Sequence, residues 1–123
     1  MRLLLDSHAF LWFLIKSARL SERADIAITE AQEVWLSHVS IWEMTIKRAL
    51  GRLELEDEPA AMAERCGMRL LPIELRHIRL VADLPRLHGD PFDRLLVAQA
   101  QAEGMMLVTA DMAVQRHPVA WLW

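Results

Sequence analysis

Five short apolar runs punctuate the chain: RLLL at 2–5, VWL at 34–36, MRLL at 68–71, MLV at 106–108 and VAWL at 119–122. A strand with one face in water alternates apolar and polar residues, and these runs do not. Continuous apolar runs of this length suit strands covered on both faces, which is the situation inside a parallel sheet. Periodicity alone leaves short helical pieces open as a second reading of each run.

The segments between the runs carry helix signals. Ser7 is placed to cap a helix over 8–15, and Ser21 one reaching about Gln32. SIWEMTIKRALG at 40–51 starts on a serine and ends on a glycine. Pro59 to Cys66 reads as a short helix closed by Gly67, and Glu74 to Ala82 as another ending before Pro85. Pro91 to Glu103, closed by Gly104, carries the clearest pattern. The resulting order, β-α-α-β-α-α-β-α-α-β-α-β, implies an α/β fold with a mostly parallel sheet and helices on both faces. At 123 residues and 54% hydrophobic, the chain has material for one domain over 1–123 with one core. We find no linker, repeat or low-complexity stretch.

Composition narrows the class. A net charge of −3 is not the signature of a nucleic-acid binder, so a polyanionic substrate would need basic patches or metal ions. The single cysteine, Cys66, allows no internal disulfide, and there is no Cys/His zinc spacing. AFLWFLI at 9–15 is too short to span a bilayer, which takes about 20 residues. Asp6 interrupts any secretory hydrophobic region. The expectation is a cytoplasmic protein.

Ligand sites of parallel sheets form beyond the carboxyl ends of the strands. Asp6 follows the first run and Asp111 follows LVTA. Glu43 and Asp93 fall in the first turns of helices. All four are expected on one face. Each also has a structural reading. Asp6 and Asp111 suit helix caps, Asp93 suits the positive end of a helix dipole, and Glu43 fits a capping box with Ser40 or an ion pair with Lys47. Converging like charges must raise their pKa values or bind a cation. A set of carboxylate oxygens suits Mg²⁺ or Mn²⁺ rather than zinc. Such an ion also links an acidic protein to a phosphate substrate and activates water for in-line attack.

LLLDSHAFLW, SHVSIWEMTIKRALGRLEL, LLPIELRH, HGDPFDRLLVAQA and MLVTAD, in this order over nearly the whole chain, resemble PIN-domain toxins of the VapC type. The likeness extends to a subgroup marked by H-x-D-P-F-D-R, here His88 to Arg94. The resemblance implies a three-layer α/β/α domain and a metal-dependent endoribonuclease that leaves 5′-phosphate and 3′-hydroxyl ends. It implies the toxic half of a type II toxin–antitoxin pair, neutralised by a small antitoxin through which DNA is met only indirectly. A homodimer, or a hetero-oligomer with the antitoxin, is expected on the same ground. Residue by residue, Asp6, Glu43, Asp93 and Asp111 match the family acids, with Asp6 and Asp93 the leading metal ligands. Ser7 stands where the family often has Thr or Ser and is expected to order the site.

Other residues have two readings each. Arg94 suits a substrate phosphate or a site carboxylate. Lys47, Arg48 and Arg52 form a basic stripe that reads as an RNA contact or a solvated helix face. His8 and His88 flank the acids and read as packing residues, and Asp90 as an N-cap. Trp12, Trp35 and Trp42 read as core or interface, and Phe10 to Ile15 as core, antitoxin groove or homodimer contact. An aspartyl phosphotransferase would need D-x-D, and Asp6-Ser7-His8 lacks it. A partner-binding module in a DNA-binding repressor complex is the non-enzymatic alternative.

Overall fold

The computed structural model describes residues 1–87 and 89–123; His88, named above beside the acids, lies outside the described residues. The strands are β1 (Arg2–Leu5), β2 (Glu33–Ser37), β3 (Arg69–Leu71), β4 (Met106–Val108) and β5 (Trp121–Leu122). The helices are α1 (Ser7–Leu14), α2 (Glu22–Glu30), α3 (His38–Ala49), α4 (Pro59–Arg65), α5 (Leu75–Val81), α6 (Pro91–Glu103) and α7 (Met112–Gln115). The element order is the one the apolar runs and helix signals imply. All five strands are parallel, in the order β3-β2-β1-β4-β5.

The apolar runs are continuous because both faces of the sheet are covered. Leu3, Leu4 and Leu5 of the central strand are all 0% exposed. Successive side chains of a strand point to opposite faces. Leu3 and Leu5 accordingly join one core cluster, with Leu36, Val108, Phe10, Ala24, Ile28, Met44 and Ala63. Leu4 joins the other, with Leu107, Val39, Leu96, Val97 and Val114. The molecule is thus a three-layer α/β/α fold. α6, with Pro91 in its first turn and left-handed Gly104 at its end (φ 65°), has the bounds its sequence announces.

Two helix starts differ from the sequence reading. α1 begins one residue early, so Asp6, not Ser7, is its cap and accepts the Ala9 N–H at 2.8 Å. α3 begins at His38 with Ser37 as cap, which leaves Ser40 buried inside its first turn. In both cases the strand runs almost directly into the helix, so the polar residue at the junction, Asp6 after β1 and Ser37 at the end of β2, takes the capping position. The capping box between Ser40 and Glu43 is therefore not formed, and Glu43 turns elsewhere.

Strands run outward from β1 on one side to β2 and β3, then the chain returns to the other side of β1 for β4 and β5. The direction of winding reverses between β1 and β4. The crevice beyond the carboxyl ends of these two strands is where a parallel α/β sheet opens to a ligand.

Candidate metal centre

The residues at that crevice come from four separate segments. Asp6 leaves β1 and Asp111 follows β4; the register pairs Leu5 with Val108, so the residues after them emerge side by side. The Asp6 N–H reaches the Val108 carbonyl at 3.2 Å. Glu43 comes from α3 and Asp93 from α6. A cleft of about 140 Å³ is lined by Asp6, Ser7, His8, Glu43, Lys47, Asp90, Asp93 and Asp111.

The capping readings and the site reading turn out to be compatible. Asp6 caps α1; Asp111 caps α7 through the Ala113 N–H at 2.9 Å; Asp90 caps α6 through the N–H groups of Phe92 and Asp93 at 2.9 and 3.1 Å. Each described cap bond uses one oxygen of the carboxylate. Three helix N-termini thereby point their positive ends at one cleft, which favours anionic groups there.

Glu43 is held by two neighbours. The Ser7 hydroxyl donates to its Oε1 at 2.7 Å, and Lys47 lies one turn on with its Nζ 3.8 Å from Oε2. Thr109, absent from the sequence reading, is fully buried between the two strand exits. Its hydroxyl hydrogen-bonds Asp6 and its Oγ1 accepts the Asp111 N–H at 3.1 Å. Aligning LLLD with LVTA as parallel neighbours would have placed Thr109 beside Asp6.

The acids oppose one another. Burial raises the Asp6 carboxyl, against the pull of the Thr109 and Ala9 hydrogen bonds. Asp93 is pushed up to about 7, first by burial and then by Asp90, Asp111, Glu43 and Asp6. The raised Asp93 carboxyl records the crowding of acids at the cleft.

Other expectations resolve as follows. His8 lines the cleft and stacks on Trp12 at 5.3 Å between ring centres. Arg48 and Arg52 are exposed away from the cleft, so of the basic stripe Lys47 alone lines it among the described residues. Arg94 donates to the carbonyl oxygens of Pro85, Val81 and Leu84 at 2.8, 3.3 and 3.5 Å. Those contacts tie α6 to the end of α5. Trp42 is exposed and meets Phe92 edge-on at 5.0 Å.

A second group, Glu74, His77 and Glu103, brings three potential ligand atoms within 4.8 Å of one another. These atoms are already engaged. Arg76 bridges Glu74 and Glu103. His77 Nδ1 accepts the Glu74 N–H at 3.0 Å, and Nε2 lies 3.0 Å from Glu103 Oε2. The His77 hydrogen bond and then Arg76 hold the Glu103 carboxyl below its ordinary range. A cation on Nε2 would require a proton on Nδ1, where a backbone N–H already points.

A parallel three-layer sheet with carboxylates gathered at its winding reversal defines a class of acid-cleft α/β domain. A family model described as PIN domain matches residues 3–119, and the chain belongs to that family. Domains of this family generally bind divalent metal through acidic residues. The chain is 29% identical to Ribonuclease VapC22 of Mycobacterium tuberculosis, over 93% of this chain and 90% of the relative. Its fold is similar to VapBC2 from Rickettsia felis bound to a promoter DNA fragment, with a TM-score of 0.73, 12% identity, and coverage of 100% of this chain and 99% of that one. It is also similar to VapBC-1 from nontypeable Haemophilus influenzae, with a TM-score of 0.69, 17% identity, and coverage of 99% and 97%.

Proposed function

We propose that the chain is a single nuclease domain over 1–123: a divalent-metal-dependent endoribonuclease and the toxin of a type II toxin–antitoxin pair. The observation that carries the activity is the convergence of Asp6, Glu43, Asp93 and Asp111 on one cleft, with Asp93 pushed up to about 7 by burial and its acidic neighbours. That mutual repulsion is what a hard cation relieves, and an all-oxygen donor set fits Mg²⁺ or Mn²⁺. Asp6, Asp93 and Asp111 would hold the ion, and Glu43 would bind it or orient water. When bound, such an ion neutralises the phosphate and lowers the pKa of an attacking water.

The chain's own residues prepare that chemistry. Thr109 holds Asp6 and the Asp111 backbone at the two strand ends. Ser7 fixes the Glu43 carboxylate. Lys47, at the cleft wall, supplies a positive charge for the RNA backbone. Arg48 and Arg52 extend that charge along and beyond α3.

The toxin reading is supported by the relative named a ribonuclease and by the neighbours solved as VapBC complexes. The partner is then a small antitoxin, and DNA contact passes through it. A cytoplasmic location and a homodimer or toxin–antitoxin hetero-oligomer belong to the same reading. Among the described residues no helix is long and apolar enough to cross a membrane.

The test uses protein purified free of any antitoxin and incubated with total cellular RNA, with Mg²⁺, Mn²⁺ or EDTA, beside Asp93→Asn. Discrete fragments that vanish with EDTA and with the variant are expected. Cleavage that persists in EDTA would overturn metal dependence. A folded, metal-binding wild type that leaves all RNA intact would favour the partner-binding module.

A further inference from the structure

A polar chain crosses the interior on the α6 side of the sheet. Ser37 and Gln99 are both fully buried, and the Ser37 hydroxyl donates to Gln99 Oε1. Ser37 Oγ also accepts the Val39 N–H at 3.0 Å, which caps α3. The Gln99 amide nitrogen reaches the Pro72 carbonyl and His77 Nδ1, each at 3.3 Å. Nδ1 of the fully buried His77 therefore faces two donors, the Gln99 amide and the Glu74 N–H. Hydrogen-bond logic puts the ring proton on Nε2, toward Glu103.

A buried glutamine is costly unless its polar atoms are matched, and the oxygen and nitrogen of Gln99 both have partners. Its neighbours Val97, Ala98 and Ala100 are apolar and equally buried, so burial alone would be served as well by leucine. A hydrogen bond does something packing does not: it sets one distance and one orientation. The two elements joined here are those that carry two of the acids. Ser37 caps α3, which bears Glu43, and Gln99 sits on α6, which bears Asp93. The two helices also pack directly on each other.

We propose that Gln99 is a positioning residue: through Ser37 on one side and His77 on the other, it pins α3 to α6 so that Glu43 and Asp93 share one cation. The inference rests on the metal reading above. Residues that orient ligands from behind commonly govern metal affinity.

The experiment titrates metal-free protein with Mn²⁺ by calorimetry, at a temperature where circular dichroism shows every variant folded. Gln99→Met keeps the volume and removes the amide; Ser37→Ala removes the other half of the bond; Ser37→Thr restores a hydroxyl. Both disruptive variants should bind Mn²⁺ about tenfold more weakly, with Ser37→Thr close to wild type. Ile28→Val, a destabilising change in the opposite cluster, should leave the affinity unchanged. Unchanged affinity in Gln99→Met would overturn the proposal, as would an equal loss in Ile28→Val. If Gln99→Met does not fold, the Ser37 pair decides in the same way. A wild type that binds no Mn²⁺ overturns the metal reading itself, and this inference with it.

Discussion

Ser7 and Glu43 lie 36 positions apart and are joined by a 2.7 Å hydrogen bond across the mouth of the cleft. Ser7 is buried in the first turn of α1, and Glu43 stands one helical turn into α3. The bond fixes one carboxylate oxygen while Lys47 lies 3.8 Å from the other, so the group cannot turn into solvent without losing both. Ser7→Ala is expected to lower kcat for RNA cleavage roughly tenfold, as loss of a ligand-orienting group does. Ser7→Thr should retain most activity, which steady-state kinetics on one RNA would check.

Asp6 caps α1 and lines the cleft, and its capping and its proposed metal-binding role separate by substitution. Asn caps as well as Asp, so Asp6→Asn should unfold at nearly the wild-type urea midpoint while cleavage becomes undetectable. Asp6→Ala loses the cap as well and should be about 1 kcal/mol less stable. Equal destabilisation by both would mean that charge, not capping, dominates at this position.

The elevated Asp93 carboxyl makes the metal-free protein sensitive to pH. Its folded-state value of about 7 lies above the ordinary 3.8, so the folded state binds the proton more tightly than the unfolded one. The contribution of this one group to stability is therefore fully present below its unfolded value and is lost as pH rises from about 4 through about 7, against the opposite trend of the lowered Glu33 and Glu103 carboxyls at the acid end. Thermal unfolding in EDTA across that range should show wild type losing stability relative to Asp93→Asn as pH rises. Added Mn²⁺ should raise the midpoint more at pH 8 than at pH 6, because the proton competes for the same oxygens.

Leu4 is buried on the face opposite Leu3 and Leu5, at the centre of the sheet. Leu4→Ala should cost about 2–5 kcal/mol in urea unfolding. The loss at the equivalent position of a half-exposed strand would be far smaller.

The sheet was legible because burial on both faces writes itself into sequence as unbroken apolar runs such as RLLL. α6 was legible because Pro91 and Gly104 punctuate it. The meeting of the four acids at one cleft was legible because strand exits and helix starts can be located once the strands are. What escaped was set by contacts between distant segments. Ser37 rather than Ser40 caps α3, because β2 meets the helix without a loop. Thr109 depends on which strands lie side by side. The carbonyl partners of Arg94 emerge only when the end of α5 is in place. Ser37, Gln99 and His77 stand far apart in sequence, and no periodicity connects them.

The winding reversal places β4 beside β1, so the last acid joins the first across almost the whole chain. During synthesis from the N-terminus, Asp6 and Glu43 emerge long before Asp93 and Asp111. A growing polypeptide accordingly holds only fragments of a reaction centre, each acid still separately hydrated. The activity proposed for this cleft would therefore arrive only with the closing of the fold and be lost with its opening.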